Sequence, residues 1–178
     1  MLRSRTGFWS VWQSEVISNQ QPSQFLIMTN SIVRFLNIFM AALVAGAIFG
    51  IWIGYNPASL SATAYLEQQQ NAIRSLNVLM PILGAITILL TLLSAYLQRK
   101  SRTVFISLLV AAAFFIISGL VTRLGNQPIN AIVIKWQADS IPAEWTELRD
   151  QWWQFHILRA LSSLVGLALV IWTSIRKD

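Results

Sequence analysis

Three residues in the last quarter of the chain have the types and the spacing to do chemistry together. His156 is the only histidine among 178 residues, Arg159 follows it by three positions, and Trp152 precedes it by four. Residues three and four apart share one face of a helix, so these side chains form a row if the segment is helical. Imidazole and guanidinium groups serve proton transfer and oxyanion stabilisation in enzymes.

The segment that carries this row runs directly into an apolar stretch long enough to cross a bilayer. Positions 149, 152, 156, 159, 163 and 166 read Arg, Trp, His, Arg, Ser and Gly, whereas positions 157, 161, 164, 168 and 171 are all apolar. A charged side chain that faces hydrocarbon costs about 2.5–3.5 kcal/mol. We therefore predict that His156 and Arg159 face a bundle interior or a wet cavity, with snorkelling to the interface as the alternative.

The composition indicates an integral membrane protein. Hydrophobic residues make up 55% of the chain and charged residues 11%, against about 25% charged residues in soluble domains. The formal net charge is +6, but the basic residues stand at the ends of apolar runs, a pattern of membrane topology rather than of a nucleic-acid-binding face. We predict the lipid bilayer as a partner and no nucleic acid.

The histidine and cysteine counts exclude most metal chemistry. The chain has one histidine and no cysteine, so disulfides, thiolate metal sites, iron–sulfur clusters and thiol-based redox catalysis are excluded. Zinc sites without cysteine and facial-triad iron sites use two or more histidines. Haem with a single histidine ligand is the one metal alternative left open, and we predict no metal and no cofactor.

Four apolar segments are long enough to span a bilayer. They predict an all-α, up-down bundle of four membrane helices, with a long extracytoplasmic loop between the third and the fourth. Residues 1–28 are predicted to form a cytoplasmic tail, anchored in the interface by Phe8, Trp9 and Trp12 or else loosely ordered, and residues 29–178 the membrane domain. The spans are predicted at about 32–55, 76–98, 103–124 and 155–175.

Proline and basic residues define the connections. Residues 55–57 read Tyr-Asn-Pro and end the first span, because proline disfavours helix at the preceding residue; a short helix is predicted over 64–74. A very short basic turn at 99–102 makes the second and third spans antiparallel neighbours. The stretch 125–142 has no clear membrane signal, and residues 143–154 are predicted to be helical and continuous with the fourth span.

Two spans have a face of small or polar residues. In the first, Ala42, Gly46, Gly50 and Gly54 recur every four positions, which lets another helix approach closely. We predict packing within the chain at this stripe, and a homo-oligomer through Gly46, Gly50 and Gly54 is the alternative. In the second span, positions 77, 80, 84, 87, 91 and 94 read Asn, Met, Gly, Thr, Thr and Ser, a face expected to point into the bundle.

The distribution of basic residues predicts the orientation. Four spans place both termini and the turn at 99–102 on one side of the membrane and the two longer connections on the other. The first side holds eight basic residues, and the second holds five together with five acidic residues. By the positive-inside rule, both termini are predicted to be cytoplasmic, in the plasma (inner) membrane.

The extracytoplasmic end of the bundle gathers the residues able to form a site. Aromatic and amide side chains stand where the first span ends, the second begins and the third is followed by its connection. The row on the fourth span begins at the same end. The residues brought together there are Trp52, Asn77, Asn126, Asn130, Trp152, His156 and Arg159.

The sequence resembles a small four-span membrane family that includes the anthrone oxygenases. The features that carry the resemblance are an Asn-x-Pro-x-Asn element at 126–130 and a Trp-x-x-x-His-x-x-Arg element at 152–159. They stand within TRLGNQPIN and PAEWTELRDQWWQFHILRALSSLVGLAL, with Trp136 between them. The resemblance covers residues 32–175 and leaves the N-terminal tail outside.

The resemblance implies a reaction, the oxidation of a polycyclic phenolic or quinol-like compound, such as an anthrone, by dioxygen without a metal or organic cofactor. It implies His156 as the base that removes a methylene proton and Arg159, with an asparagine, as the group that stabilises the enolate. The anion would then react with dioxygen directly. The residues implied to bind a hydrophobic aromatic substrate are Trp52, Asn77, Asn126, Asn130 and Trp152.

A second class of function uses the same polar cluster. A non-catalytic membrane protein would bind a lipid headgroup or a partner there, so the sequence leaves open whether the chain is an enzyme. A transporter is disfavoured, because one polar cluster at one end of a bundle is not a pathway through the bilayer. A copurifying quinone-like molecule that supports oxygen consumption would distinguish the enzyme from the binding protein.

Overall fold

The chain folds into helices joined by short connections. The computed structural model describes the backbone of residues 6–176 and the side chains of residue 24 and residues 27–176. Within these ranges no strand occurs. The helices are α1 (Thr6–Gly54), α2 (Ala62–Leu76), α3 (Leu79–Leu97), α4 (Arg102–Val121), α5 (Gln127–Val133) and α6 (Trp145–Ile175), with a 3-10 turn at Pro57–Ser59 and a π-helical segment at Thr122–Asn126.

In the described part of the chain, four helical stretches are long and apolar enough to cross a membrane. Each overlaps one predicted span, so the prediction of an all-α membrane bundle is confirmed. The interfacial anchor predicted from Phe8, Trp9 and Trp12 concerns side chains outside the described residues. The four stretches are Ile27–Ser59, Leu79–Leu97, Arg102–Val133 and Trp145–Ile175.

Polar side chains satisfy the helix ends at the first turn. α1 ends at Gly54, and the side chain of Asn56 then accepts a hydrogen bond from the backbone N–H of Ala58. Ser61 caps α2 by accepting from the backbone N–H of Ala64, as serine commonly does at an N-cap. The predicted end of the first span and the short helix after it are confirmed.

The connection between the third and fourth spans contains more helix than its sequence indicates. The stretch 125–142, which has no membrane signal, includes the end of the π-helical segment and all of α5, so the part outside helices is 134–144. Pro128 stands in the first turn of α5, where its missing N–H costs no helical hydrogen bond. Residues that indicate a turn in the sequence therefore open a helix.

The small-residue stripe of α1 does not pack within the chain. Gly46, Gly50 and Gly54 are exposed, and a Cβ atom built on any of them meets nothing within 4 Å. The predicted packing at this stripe is therefore wrong for the described residues. α1 instead buries the opposite side, which includes Ala41 and Ile48, against α3 and α6. The homo-oligomer through the stripe stays a prediction.

The interior of the bundle forms where α6 packs against α1 and α4, and α3 packs against the same two helices. On α3, Thr87, Thr91 and Ser94 are buried, so the polar-to-small face predicted for the second span does point inward. Its outer positions, such as Leu89, are exposed and belong to the hydrocarbon region of the bilayer.

The end of the bundle opposite the termini is covered by α2 and α5, and we name it the capped end. Tyr65 and Ile73 of α2 and Ile129 of α5 form an apolar cluster with Trp152 of α6. Partly buried residues at the end of α1, including Tyr55, pack on the same cluster. The capped end is therefore held by apolar contacts among four helices, and it holds the candidate site in place.

Candidate functional site

The predicted inward face of α6 lies inside the bundle. Trp152, His156 and Arg159 are buried, with His156 fully enclosed and Arg159 only 9% exposed. Ser163 and Gly166 continue the buried face toward the half of the bundle that holds the termini. The prediction that His156 and Arg159 face the interior is confirmed by this burial, since neither side chain reaches the interface.

His156 is held by both nitrogen atoms of its ring. Nε2 lies 3.2 Å from the carbonyl oxygen of Ile48 on α1. Nδ1 lies 2.9 Å from Nη2 and 3.1 Å from Nε of Arg159. Because arginine only donates and a carbonyl only accepts, the ring is neutral in this arrangement, with its proton on Nε2. The imidazole plane is also nearly parallel to the rings of Trp152 and Trp153, whose centroids lie 5.1 Å and 5.4 Å from its own.

This geometry does not fit the base role that the resemblance implies for His156. The lone pair of Nδ1 accepts the two N–H groups of Arg159, and Nε2 carries a proton directed at Ile48. The ring is fully enclosed and does not line the neighbouring cavity. A general base must reach the proton it removes directly or through one water. In this arrangement His156 contacts Arg159 instead of the cavity, and the catalytic role predicted for it stays a prediction.

Arg159 is a buried cation with no anionic partner among the described residues. Its Nη1 donates to Oγ1 of Thr122 at 3.4 Å, and its Nε and Nη2 donate to Nδ1 of His156. Among the described residues the one ion pair joins Arg149 to Asp150, both at the start of α6. Buried charges in proteins are as a rule paired, because an unpaired charge in a medium of low dielectric is costly. The arrangement therefore leaves a place for an anionic group of a ligand.

The π-helical segment fits α4 to the backbone of α6. Ser118 donates to the carbonyl oxygen of Arg159 at 3.1 Å, and Asn126 donates through Nδ2 to that of Trp152 at 2.9 Å. The donors are eight residues apart and the acceptors seven, and the i→i+5 bonding of a π turn accommodates the additional residue. A Cβ atom on Gly125 would lie 2.5 Å from the ring of Phe155, so only glycine permits this close approach.

A cavity of about 440 Å³ opens beside Arg159 at the capped end. Its size lies within the range of about 300–1,000 Å³ that is usual for small-molecule sites. The apolar walls include Ile48, Ile51 and Met80, and Gln68 and Asn71 line it from the exposed surface of α2. The polar and aromatic groups that line it are Tyr55, Gln69, Asn77, Thr122, Asn130, Trp152 and Arg159.

An amide network centred on Asn130 shapes the polar wall of this cavity. Oδ1 of Asn130 accepts from Nε1 of Trp152 at 2.9 Å and from Nε2 of Gln69 at 3.3 Å, and its Nδ2 donates to Oδ1 of Asn77 at 2.9 Å. Gln69 in turn accepts from the hydroxyl of Tyr55 at 3.2 Å. Asn77 lines the cavity, and its Nδ2 makes no hydrogen bond with the described residues.

The cavity brings together four of the seven site residues predicted from sequence: Asn77, Asn130, Trp152 and Arg159. The other three lie outside its lining. His156 stands behind Arg159, and Trp52 packs edge-on against Phe49 at a centroid distance of 6.0 Å. Asn126 is fully enclosed beside α6, and its Oδ1 has no hydrogen-bond partner. The structure therefore places Trp52 and Asn126 in packing positions rather than in a substrate wall.

Sequence reasoning missed Gln69, Tyr55 and Thr122. A signal for Gln69 exists, because Tyr65, Gln69 and Ile73 recur every four positions on the short helix α2, and a glutamine on an otherwise apolar face is unusual. The face is buried, as this pattern indicates. Thr122 carries a signal too, because it follows Ser118 by four positions on the face of the third span predicted to point inward.

Groups of three or more His, Cys, Asp or Glu side chains able to hold a metal ion are absent from the described residues. The donors that face the cavity are amides, hydroxyls, an indole and a guanidinium. Such a set suits a neutral or anionic organic ligand with an oxygen atom near Arg159.

Comparison with known proteins gives one match. The family model described as Anthrone oxygenase matches residues 70–169, more than half of the chain. Six of the seven predicted site residues lie within the matched stretch, and Trp52 lies outside it. No curated protein and no solved structure matches.

Proposed function

This chain belongs to the anthrone oxygenase family, and we propose that it oxidises a polycyclic phenolic or quinol-like substrate with dioxygen inside the membrane. The observation that carries the proposal is the guanidinium of Arg159. It is buried, has no acidic partner among the described residues, and lines a cavity of about 440 Å³. An enolate or phenolate oxygen supplies the missing negative charge.

Arg159 has donors to spare for such an oxygen. A guanidinium carries five N–H groups, and the bonds to His156 and Thr122 engage at most three of them. The free Nδ2 of Asn77 lies on the same cavity wall. A cation and an amide donor fixed in advance around a developing oxyanion stabilise it without reorganisation, and the low dielectric of the site strengthens the effect.

The first chemical step is ionisation of the substrate. With an anthrone, one methylene proton leaves and the carbonyl oxygen takes the negative charge, facing Arg159. The described cavity wall offers no carboxylate or free imidazole, so we assign the proton to water at the polar rim formed by Gln68 and Asn71. Arg159 drives the step by lowering the free energy of the anion.

The second step transfers electrons to dioxygen. The carbanion form of the enolate gives two electrons to O₂ and forms a carbon–oxygen bond, which yields a hydroperoxide after uptake of one proton. The remaining hydrogen on that carbon leaves as a proton while the O–O bond breaks toward hydroxide, and the two combine as water. One anthrone and one O₂ become one anthraquinone and one H₂O, so the carbon is oxidised and the dioxygen reduced in balance.

His156 contributes by holding Arg159 in place. Its Nδ1 fixes two donors of the guanidinium, while its Nε2 is fastened to α1 through Ile48. Trp152 and Trp153 lock the ring orientation by stacking. A positioning residue of this kind affects turnover through geometry, since a misplacement of about 1 Å costs about 10²-fold in rate.

The test is oxygen consumption by the purified protein in lipid nanodiscs with anthrone as substrate. Uptake of O₂ matched by an equal amount of anthraquinone supports the proposal, and Arg159→Met should lower its rate by about 10²–10³-fold. Arg74→Met is the matched control, because Arg74 is an exposed arginine at the same end and bonds Gln70 instead of lining the cavity wall. Tight binding of anthrone without oxygen uptake would contradict the oxygenase and leave a binding protein.

We further propose that the capped end is extracytoplasmic and both termini cytoplasmic, in the plasma (inner) membrane. The basic residues at 99–102 support this orientation. Since the chain has no cysteine, Ser140→Cys and Lys100→Cys can be labelled in intact cells with a membrane-impermeant thiol reagent. We expect labelling at position 140 alone. Labelling at position 100 alone would show that the capped end is cytoplasmic and the termini are extracytoplasmic.

A further inference from the structure

A second, smaller cavity adjoins the first at Arg159. It has a volume of about 210 Å³ and lies between α3 and α4. The two cavities share Arg159, Thr122, Met80, Pro81 and Ile48 in their linings. The guanidinium therefore stands where one space meets the other.

The outer rim of this second cavity is formed by two small residues where α3 and α4 meet the lipid-facing surface; Gly119 is exposed, and Gly84, at the edge of the inward face of α3, is half-buried. Gly84 and Gly119 line it from the two helices, and a Cβ atom on either glycine meets nothing within 4 Å. The surrounding surface is apolar, with Ile86 of α3 and Ile116 and Leu120 of α4 exposed. In a membrane-spanning bundle such a surface faces hydrocarbon, so this opening leads from the bilayer to Arg159.

Size and lining distinguish the two spaces. The second cavity is smaller than the usual lower limit of about 300 Å³ for a ligand site, whereas the first lies above it. The rim of the first is polar, with Gln68, Asn71 and Ser75 exposed on α2. Arg123 and Gln127 also line the second cavity, and the rest of its rim adjoins the apolar surface of α3 and α4. The site thus has one opening at the exposed face of α2 and one toward the hydrocarbon, where a sparingly soluble aromatic compound concentrates.

We propose that the gap between Gly84 and Gly119 is the entrance through which the substrate passes from the bilayer to Arg159. The substrate class follows: a flat, membrane-dissolved polycyclic phenol that enters as the neutral molecule and ionises beside the guanidinium. The polar opening then serves water and protons. This inference rests on the proposed function for the identity of the substrate, and on the second cavity for the route.

Blocking each opening separately tests the route. Gly119→Leu and Gly84→Leu place a branched side chain in the rim of the second cavity, where space is open and helix propensity improves. Gly50→Leu is the matched control, because Gly50 is an equally open, lipid-facing glycine on α1 that lines neither cavity. Asn71→Trp narrows the polar opening.

The measurement is the rate at which 2-hydroxyanthraquinone, dissolved in the lipid of proteoliposomes, quenches tryptophan fluorescence after rapid mixing. Gly119→Leu and Gly84→Leu should slow association by about tenfold, the low end of the spread among variants of one site. Gly50→Leu should match the wild type, and Asn71→Trp should slow association less than either glycine variant does. Because the variants act on the route, the equilibrium affinity should change much less than the rate.

Each other outcome overturns the inference or separates it from the proposed function. Slower association in Asn71→Trp alone would place the entrance at the polar opening, and unchanged rates in both glycine variants would also overturn the proposal. If the glycine variants slow binding but wild-type protein does not oxidise anthrone, the entrance stands and the oxygenase fails. If the wild type oxidises anthrone and both glycine variants bind and turn over substrate at the wild-type rates, the oxygenase stands and the entrance fails.

Discussion

The bundle buries polar side chains in two regions, and the two differ in what the side chains bond. In the half of the bundle that holds the termini, Oγ1 of Thr91 lies 2.8 Å from both Oδ1 of Asn37 and the carbonyl oxygen of Thr87, and its single O–H is shared between these two acceptors. At the capped end, Asn130 and Asn77 line a cavity, and Nδ2 of Asn77 is left free. Polar groups that satisfy one another fix helix positions, whereas groups that face an open space with spare donors are arranged for a ligand.

Arg34 and Arg159 show the same contrast between a polar group with a complement in the protein and one without. Arg34 donates through Nη2 to the carbonyl oxygen of Ser174 at 3.0 Å, near the C-terminus of α6. The negative end of a helix stabilises a cation there, so Arg34 has its complement within the protein. Arg159 has none among the described residues. The residue type alone does not indicate function, and the presence or absence of a complementary group does.

The largest difference in turnover is expected between the methionine variants of Arg159 and Arg34. Arg159→Met removes the cation beside the substrate oxygen, and loss of one such donor costs about 10²–10³ in kcat. Arg34→Met removes a helix-end contact and should leave turnover of anthrone unchanged. Steady-state oxygen uptake by the two variants makes the comparison, and equal losses would contradict the division of the bundle into two kinds of polar region.

A second pair of variants separates positioning from base catalysis at His156. His156→Ala removes the group that holds Arg159 and should lower kcat by about 10²-fold. His156→Asn keeps an acceptor near the position of Nδ1 but has no basic nitrogen, so it should recover most of the lost turnover. If His156 were the base, both variants would lose about 10²–10⁴-fold alike. The pH dependence of kcat should have the same shape in wild type and His156→Asn.

A third pair compares the stabilities of the two polar regions. Asn130→Ala leaves Nε1 of Trp152 and the side chains of Gln69 and Asn77 without their partner, and each unsatisfied buried group costs about 1–3 kcal/mol. Thr91→Val keeps the shape and leaves one acceptor of Asn37 unsatisfied. Thermal unfolding in detergent should therefore show a larger loss for Asn130→Ala. A larger loss for Thr91→Val would show that the cavity wall contributes little to the fold.

The smallest effect is expected at Tyr65, a capped-end residue that does not line the cavity. Its hydroxyl is buried without a hydrogen-bond partner, and burial raises the pKa of Tyr65 to about 12. The unfolded phenol ionises near pH 10, its usual pKa being about 10. The folded state therefore keeps the phenol protonated up to a higher pH than the unfolded state does, and the free energy of unfolding falls as the pH rises from 10 to 12.

Tyr65→Phe should remove that contribution to the alkaline loss. At neutral pH the variant should unfold at the same temperature as the wild type or slightly higher, because the deleted hydroxyl has no partner to lose. Unfolding midpoints at pH 8 and pH 10.5, compared between variant and wild type, measure the difference. A large loss at pH 8 would show that the hydroxyl has a partner after all.

Periodicity predicted much of the fold and part of the site. The inward faces of α3 and α6 follow from spacings of three and four, because a bundle in lipid must direct polar groups such as Thr91 and His156 inward. The spacing of four in α1 led to the wrong prediction that its glycine stripe packs within the chain. Gly46 and Gly50 permit close approach without specifying which helix approaches. A pattern of small residues indicates what can pack there, but α1 buries the opposite side.

The contacts within the site that the sequence did not predict have a common physical cause. Nε2 of His156 faces the carbonyl oxygen of Ile48, a backbone group 108 residues away, and a backbone acceptor leaves no mark on the sequence. The position of Asn126 depends on the π-helical segment, whose register follows no α-helical period. Residue types therefore located the capped end, while the roles within it depended on contacts between remote segments.

The central claim is that Arg159 binds an oxyanion, and the ionisation of a bound phenol tests it most directly. 2-Hydroxyanthraquinone changes its visible absorption when its hydroxyl ionises, so the apparent pKa of the bound dye can be read optically. Bound to the wild type, that pKa should be lower than in empty nanodiscs of the same lipid, and bound to Arg159→Met it should not be lowered. Equal pKa values in the two proteins, with the dye bound to both, would contradict the account.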